Sequence, residues 1–190
     1  MKNLVRFLIS AMAVAIMTSS AWAEANKDLQ NKVTAYITPG ATDKQAVITL
    51  WMANVNPVVG LTLPFKFSAG TDTLRLDSIL TIGGRAANFI MTKPQFKTAE
   101  QTFLVNMVWS VDSTTRKAAP IPSGEGPVIW MFVHTDGKFP VDKLRMASVQ
   151  LPPENVLLYV TDVYATVNPS FELVHKAPPT SGKAAKPGKK

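Results

Sequence analysis

The sequence predicts an all-β domain, a sandwich or barrel of about nine strands. Three observations carry this expectation. Apolar residues repeat mostly with period two. They come in short runs bounded by Pro, Gly, Asn and Asp. Turn signals recur about every 8–12 residues, and no segment carries a convincing helical spacing.

The elements follow in order. Val33 to Thr38 is a first strand, stopped by Pro39 and Gly40. Gln45 to Asn54 is a second, with Ile48, Leu50 and Met52 on one face and Thr49 and Trp51 on the other. Gly60 to Ser68 alternates most clearly: Leu61, Leu63, Phe65 and Phe67 point one way, and Thr62, Pro64 and Lys66 the other. Pro64 lacks an N–H, which places this strand at a sheet edge or gives it a bulge. After the turn at 69–72, Thr73 to Ile82 has Leu74, Leu76, Leu80 and Ile82 in phase. Gly83 and Gly84 end it. Asn88 to Met91 is short; Phe103 to Val111 is longer. Asp112 to Pro127, with three prolines and two glycines, reads as a loop. Pro127 to Thr135 is a near-continuous apolar run, which suits a strand covered on both faces. Leu144 to Leu151 and Val156 to Ala165 complete the set.

Both ends differ from this body. Residues 1–23 read as a secretory signal peptide. Lys2 and Arg6 precede an apolar run from Phe7 to Met17, and Ala21-Trp22-Ala23 is an A-x-A cleavage site. The domain is expected over 24–175. Residues 176–190 (KAPPTSGKAAKPGKK) form a basic low-complexity tail without a large apolar residue, and the expectation is disorder. The tail's lysines suit acidic cell-surface polymers; a plain spacer is the blander reading. Export to the periplasm or the cell exterior follows from the leader. With no Cys, the fold must rest on its core rather than on disulfides.

The chain has 190 residues and a formal charge of +7. Of its 20 Lys and Arg, two lie in the leader and five in the tail, so the body matches the 13 Asp and Glu one for one. A neutral body argues against a nucleic-acid-binding domain, whose footprint should be basic on the fold itself.

Catalytic and metal patterns are thin. His134 and His175 are the two histidines, and neither sits in a metal-binding spacing. No G-x-S-x-G surrounds a serine, and the carboxylates do not pair by spacing. Asp43, Asp72, Asp77, Asp136 and Asp142 could supply oxygens to a structural Ca²⁺, though no EF-hand run exists; otherwise no cofactor is expected. Gly83-Gly84-Arg85 and Gly124-Glu125-Gly126 read as turns. The body is not expected to span a membrane once the leader is removed.

The aromatics say more. Trp51 lies opposite the Ile48/Leu50/Met52 face. It is either exposed beside Thr49, ready to stack on a sugar or anchor a protein, or buried under the 112–127 segment. Trp109 and Trp130 sit mid-strand and read as core.

Taken together, the segments AVITLWMANVN, GLTLPFKFS, TLRLDSILTIGGRAANF and IPSGEGPVIWMFVHTDG resemble a cohesin-like domain over residues 33–165. The resemblance implies a nine-stranded β-sandwich of jelly-roll topology, secreted or on the cell surface. Cohesins bind dockerin modules through an exposed sheet face and organise polysaccharide-degrading complexes; related modules bind carbohydrate. This sequence departs from a scaffold subunit in holding one copy, with no dockerin segment and no catalytic module. Two readings follow. One is a non-catalytic module that binds a protein through a sheet face using Thr49, Trp51, Thr62 and Lys66. The other is a carbohydrate-binding module that stacks sugars on Trp51, or on Tyr159 or Tyr164.

Overall fold

The structure, a computed structural model, describes residues 30–91, 94–109 and 119–179. The leader, most of the basic tail and part of the 112–127 segment lie outside the described residues. Among the described residues, twelve short strands stand where about nine were expected, and they form two sheets. They are β1 (Lys32–Pro39), β2 (Gln45–Asn54), β3 (Val58–Ser68), β4 (Arg75–Leu80), β5 (Phe89–Met91) and β6 (Gln95–Lys97). Then come β7 (Thr102–Trp109), β8 (Gly124–His134), β9 (Arg145–Ser148), β10 (Leu158–Thr161), β11 (Thr166–Val167) and β12 (Ser170–Val174). One 3-10 turn, Val141–Lys143, is the sole helical element among the described residues.

The first sheet has five strands in the order β12-β1-β2-β8-β4. The second has seven, running β11-β10-β3-β7-β5, with β6 also on β7 and β9 also on β3. Among the described residues, every strand pairing is antiparallel except β1 with β12. The alternation seen in the sequence sets the inner faces. Ile48, Leu50 and Met52 from β2 meet Leu61, Leu63 and Phe65 from β3 and Phe103, Val105 and Met107 from β7 in one core. Phe65 and Phe171 pack with ring centroids 5.0 Å apart, which ties β12 to the opposite sheet. Each such side chain contributes about 1.5–3 kcal/mol on burial, and the fold contains no cysteine to add a covalent link.

Four expectations change. Pro64 is in an interior strand, not at an edge. On one side of β3, pairing passes from β10 at Thr62 to β9 at Phe65. Pro64 sits at that seam, where a ladder N–H is not required, and its carbonyl accepts from the Val149 N–H at 3.3 Å. Second, the phase of the Thr73–Ile82 segment flips. A bulge between Leu76 and Ser78 turns Ile79 toward the core and leaves Leu80 and Ile82 exposed. Third, the 112–127 loop is shorter than read. Ile121 is buried in a bridge to Val58, and β8 begins at Gly124. Fourth, the strand β12, unmarked in the sequence, closes the five-stranded sheet by lying parallel to β1 over five register pairs.

Candidate partner-binding face

The two sheets differ in how they treat their outer faces. On the five-stranded sheet, the outward residues of β1, β2 and β8 cover one another. Trp51 is only 7% exposed and meets Tyr36 edge-on, centroids 6.1 Å apart at 80°. Thr49, 3% exposed, lies between Tyr36 and Trp130 in register. Burial and the nearby Glu172 carboxylate raise the Tyr36 pKa. The outer face of the seven-stranded sheet is more open. Its register aligns Ile90, Val108, Gly60, Val160 and Thr166 in one row across five strands. Ile90 and Val108 are 54% and 49% exposed. Gly60 forms a dip in this row: a Cβ there would come 3.3 Å from the Val160 Cβ.

The row ends at the β10–β11 turn, where Val163 and Tyr164 are 76% and 79% exposed. Tyr164 has φ of +60°, a left-handed conformation rare for a side chain of this size. The turn is held by the Tyr164 N–H donating to the Thr161 carbonyl and by the Asp162 N–H donating to the Pro57 carbonyl. Val55, also exposed, lies on the β2–β3 turn whose Pro57 carbonyl the Asp162 N–H grips. The opposite end of the face is polar, with Lys66, Lys97, Glu100 and Thr102.

The end of the sandwich beneath the row is closed by Arg85. Its Nη1 donates to Asn54 Oδ1 at 2.7 Å, the Gly124 carbonyl at 2.9 Å and the Met52 carbonyl at 3.2 Å. Its Nη2 donates to the Pro122 carbonyl. Burial pushes the Arg85 pKa down, and these acceptors hold the group in place. A Cβ on Gly126 would lie 2.8 Å from Arg85 Cδ, so this glycine makes room for the arginine. The two glycine segments read as separate turns are thus one assembly, and the second lies within β8.

The residues singled out in the sequence do not form one site. Thr49 and Trp51 belong to the five-stranded sheet; Thr62 and Lys66 belong to the other, with the core between them. Trp51 is too buried to serve as a stacking platform. Tyr159 is fully buried, its hydroxyl donating to the Lys32 carbonyl at 2.9 Å, so it cannot stack on a ligand either. Thr62 is half-buried between Asn106 and Leu158, and Lys66 is exposed at the polar end of the face. Ile90, Val108 and Val163 were missed. Their signal was an apolar residue opposite the core phase, as Val108 is between Met107 and Trp109.

His134 Nδ1 lies 2.5 Å from Asp77 Oδ1, and Arg75 pairs with Asp136 at 3.4 Å. Among the described residues, no three His, Asp or Glu side chains gather as a metal site. No helix among them is long and apolar enough to cross a membrane.

The geometry defines a two-sheet sandwich that covers one outer face and leaves an apolar row open on the other. No family model and no curated protein matches the sequence. Solved structures do match. A non-cellulosomal cohesin from the hyperthermophilic archaeon Archaeoglobus fulgidus is 11% identical with a TM-score of 0.50, over 76% of this chain and 91% of that one. The sixth cohesin of scaffoldin B from Acetivibrio cellulolyticus, in complex with a Cel5 dockerin mutant, is 10% identical with a TM-score of 0.51. That match covers 77% of this chain and 99% of the cohesin. A type II cohesin domain from the cellulosome of the same organism is 8% identical, TM-score 0.51, over 77% and 92% of the two chains. The protein has a cohesin-like β-sandwich fold.

Proposed function

We propose that the protein is an exported, non-catalytic interaction module that binds a partner protein on the outer face of the seven-stranded sheet. The exposed Ile90 and Val108, in one row with the half-buried Val160 and followed by Val163 and Tyr164, carry this reading. Exposed apolar side chains rimmed by polar ones are the anatomy of a protein interface. The solved neighbour in complex with a dockerin supports a protein partner and makes a dockerin-type module the first to try. The buried polar cluster of Arg85 with Asn54 ties chain segments together and so fits a structural role.

The test is affinity capture from the source organism's culture fluid with the unmodified protein and with Val108→Glu. The expected result is a protein retained by the first and lost by the second, with the circular-dichroism melt unchanged. Equal capture by Val108→Glu excludes this face. The exposed Tyr164 ring favours carbohydrate as a second reading. Retention on insoluble polysaccharide, abolished by Tyr164→Ala, would decide for it.

A further inference from the structure

A pocket lies on the five-stranded sheet, apart from the proposed partner face. It has a volume of about 250 Å³ and opens beside the β1–β2 turn, lined by Gly40, Ala41, Gln45, Val47, Phe132 and Asp77 among others. Apart from the Gln45 amide, most of its wall is apolar. Among the described residues lining it, Asp77 alone is charged. The carboxylate is there because of the β4 bulge. Asp77 is the extra residue between Leu76 and Ser78, so the β4–β8 ladder gives it no register position of its own. Bulges re-aim side chains in this way. His134 then steadies Asp77 through one oxygen, Nδ1 to Oδ1 at 2.5 Å, and each group remains about one-third exposed. A carboxylate offers about four lone-pair sites, and the imidazole occupies one.

The volume is below the roughly 300–1,000 Å³ of pockets for drug-sized ligands, so it suits a single side chain. An apolar wall leading to one steadied carboxylate selects a slender apolar stem with a terminal cation. The Phe132 ring in the wall adds a surface that attracts cations. We propose that this pocket binds the alkylammonium group of a lysine side chain presented by a peptide segment. The stem packs on Val47 and Ala41, and the ammonium meets Asp77.

The test is titration of the full chain with N-acetyl-lysine N-methylamide, followed by amide chemical shifts. The neutral control is N-acetyl-norleucine N-methylamide, which keeps the stem and lacks the ammonium. Shifts are expected at the amides of Ala41, Val47 and Phe132, with the control at least about tenfold weaker, since a charge-assisted contact is worth about 1.5–3 kcal/mol. Asp77→Asn should weaken lysine binding by a similar factor, and added salt should weaken it further. His134→Gln keeps the carboxylate and should retain binding. Equal binding of the two ligands by the unmodified protein overturns the proposal with no variant needed. Undiminished binding by a folded Asp77→Asn overturns it as well.

Discussion

Arg85 reaches Asn54 across the end of the sandwich, Nη1 to Oδ1 at 2.7 Å. Asn54 is fully buried and also donates from Nδ2 to the carbonyls of Asn56 and Pro122, at 2.7 and 3.0 Å. The pair therefore fastens the β2–β3 turn to the segment entering β8. Removing the guanidinium leaves buried acceptors unmatched, at about 1–3 kcal/mol for such a group. Arg85→Met is expected to lower unfolding free energy by about 3 kcal/mol in urea titration. Arg85→Lys should recover little of it, because a point ammonium cannot reproduce a planar fork of donors.

Trp51 makes a second prediction, about stability rather than binding. Its ring is packed on Tyr36 and opposite Pro127 in register. Trp51→Ala should destabilise by about 3–5 kcal/mol, the range for large aromatic truncations. Partner capture measured well below the lowered melting temperature should stay close to that of the unmodified protein. A variant that melts normally but loses the partner would return Trp51 to the binding face.

Tyr164 sets stability against recognition. Its left-handed backbone costs about 1–2 kcal/mol in a residue with a Cβ. Tyr164→Gly should therefore raise the melting temperature slightly while weakening capture of the partner, because the ring is lost from the end of the row. Calorimetry and capture on the same sample read the two effects separately.

Alkaline titration should expose the buried tyrosine. Burial raises the Tyr159 pKa above its usual value, with Arg85 opposing in part. A raised folded-state pKa gives stability that is complete below the ordinary phenol value of about 10 and lost progressively above it. Tyr159→Phe should cost about 1 kcal/mol at neutral pH, where it gives up the bond to the Lys32 carbonyl. The gap to the unmodified protein should close as pH rises past about 10, since the phenylalanine has no proton to lose. A gap constant up to pH 11 would show that the hydroxyl is not held in the neutral form.

Much of the core was legible because β2, β3 and β7 keep a period-two apolar phase on their inner side, which assigns each residue to a side. It does not say whether the outer side is covered. Trp51 alternates outward as expected, yet Tyr36, brought beside it by the β1–β2 pairing, hides it. Bulges defeat the pattern differently: Asp77 shifts the phase, so Leu80 and Ile82 came out exposed instead of in line with Leu74. Strands β6, β11 and β12 are too short or too mixed in composition to announce themselves. Arg85 could not be found by spacing, because its role depends on the reach of one side chain to two distant segments, 52–54 and 122–124.

The parallel pairing of β1 with β12 has a mechanical consequence. The chain enters β1 beside Val55, where the Asn31 side chain meets the turn, and leaves β12 at the far end, where His175 meets the Val141 carbonyl. Tension applied between the two ends would slide these strands along their own length. Their hydrogen bonds would then carry force together, in shear, rather than opening one after another like a zipper. A domain tethered at one end and gripped through the other would resist extension at the place where its first and last described strands meet.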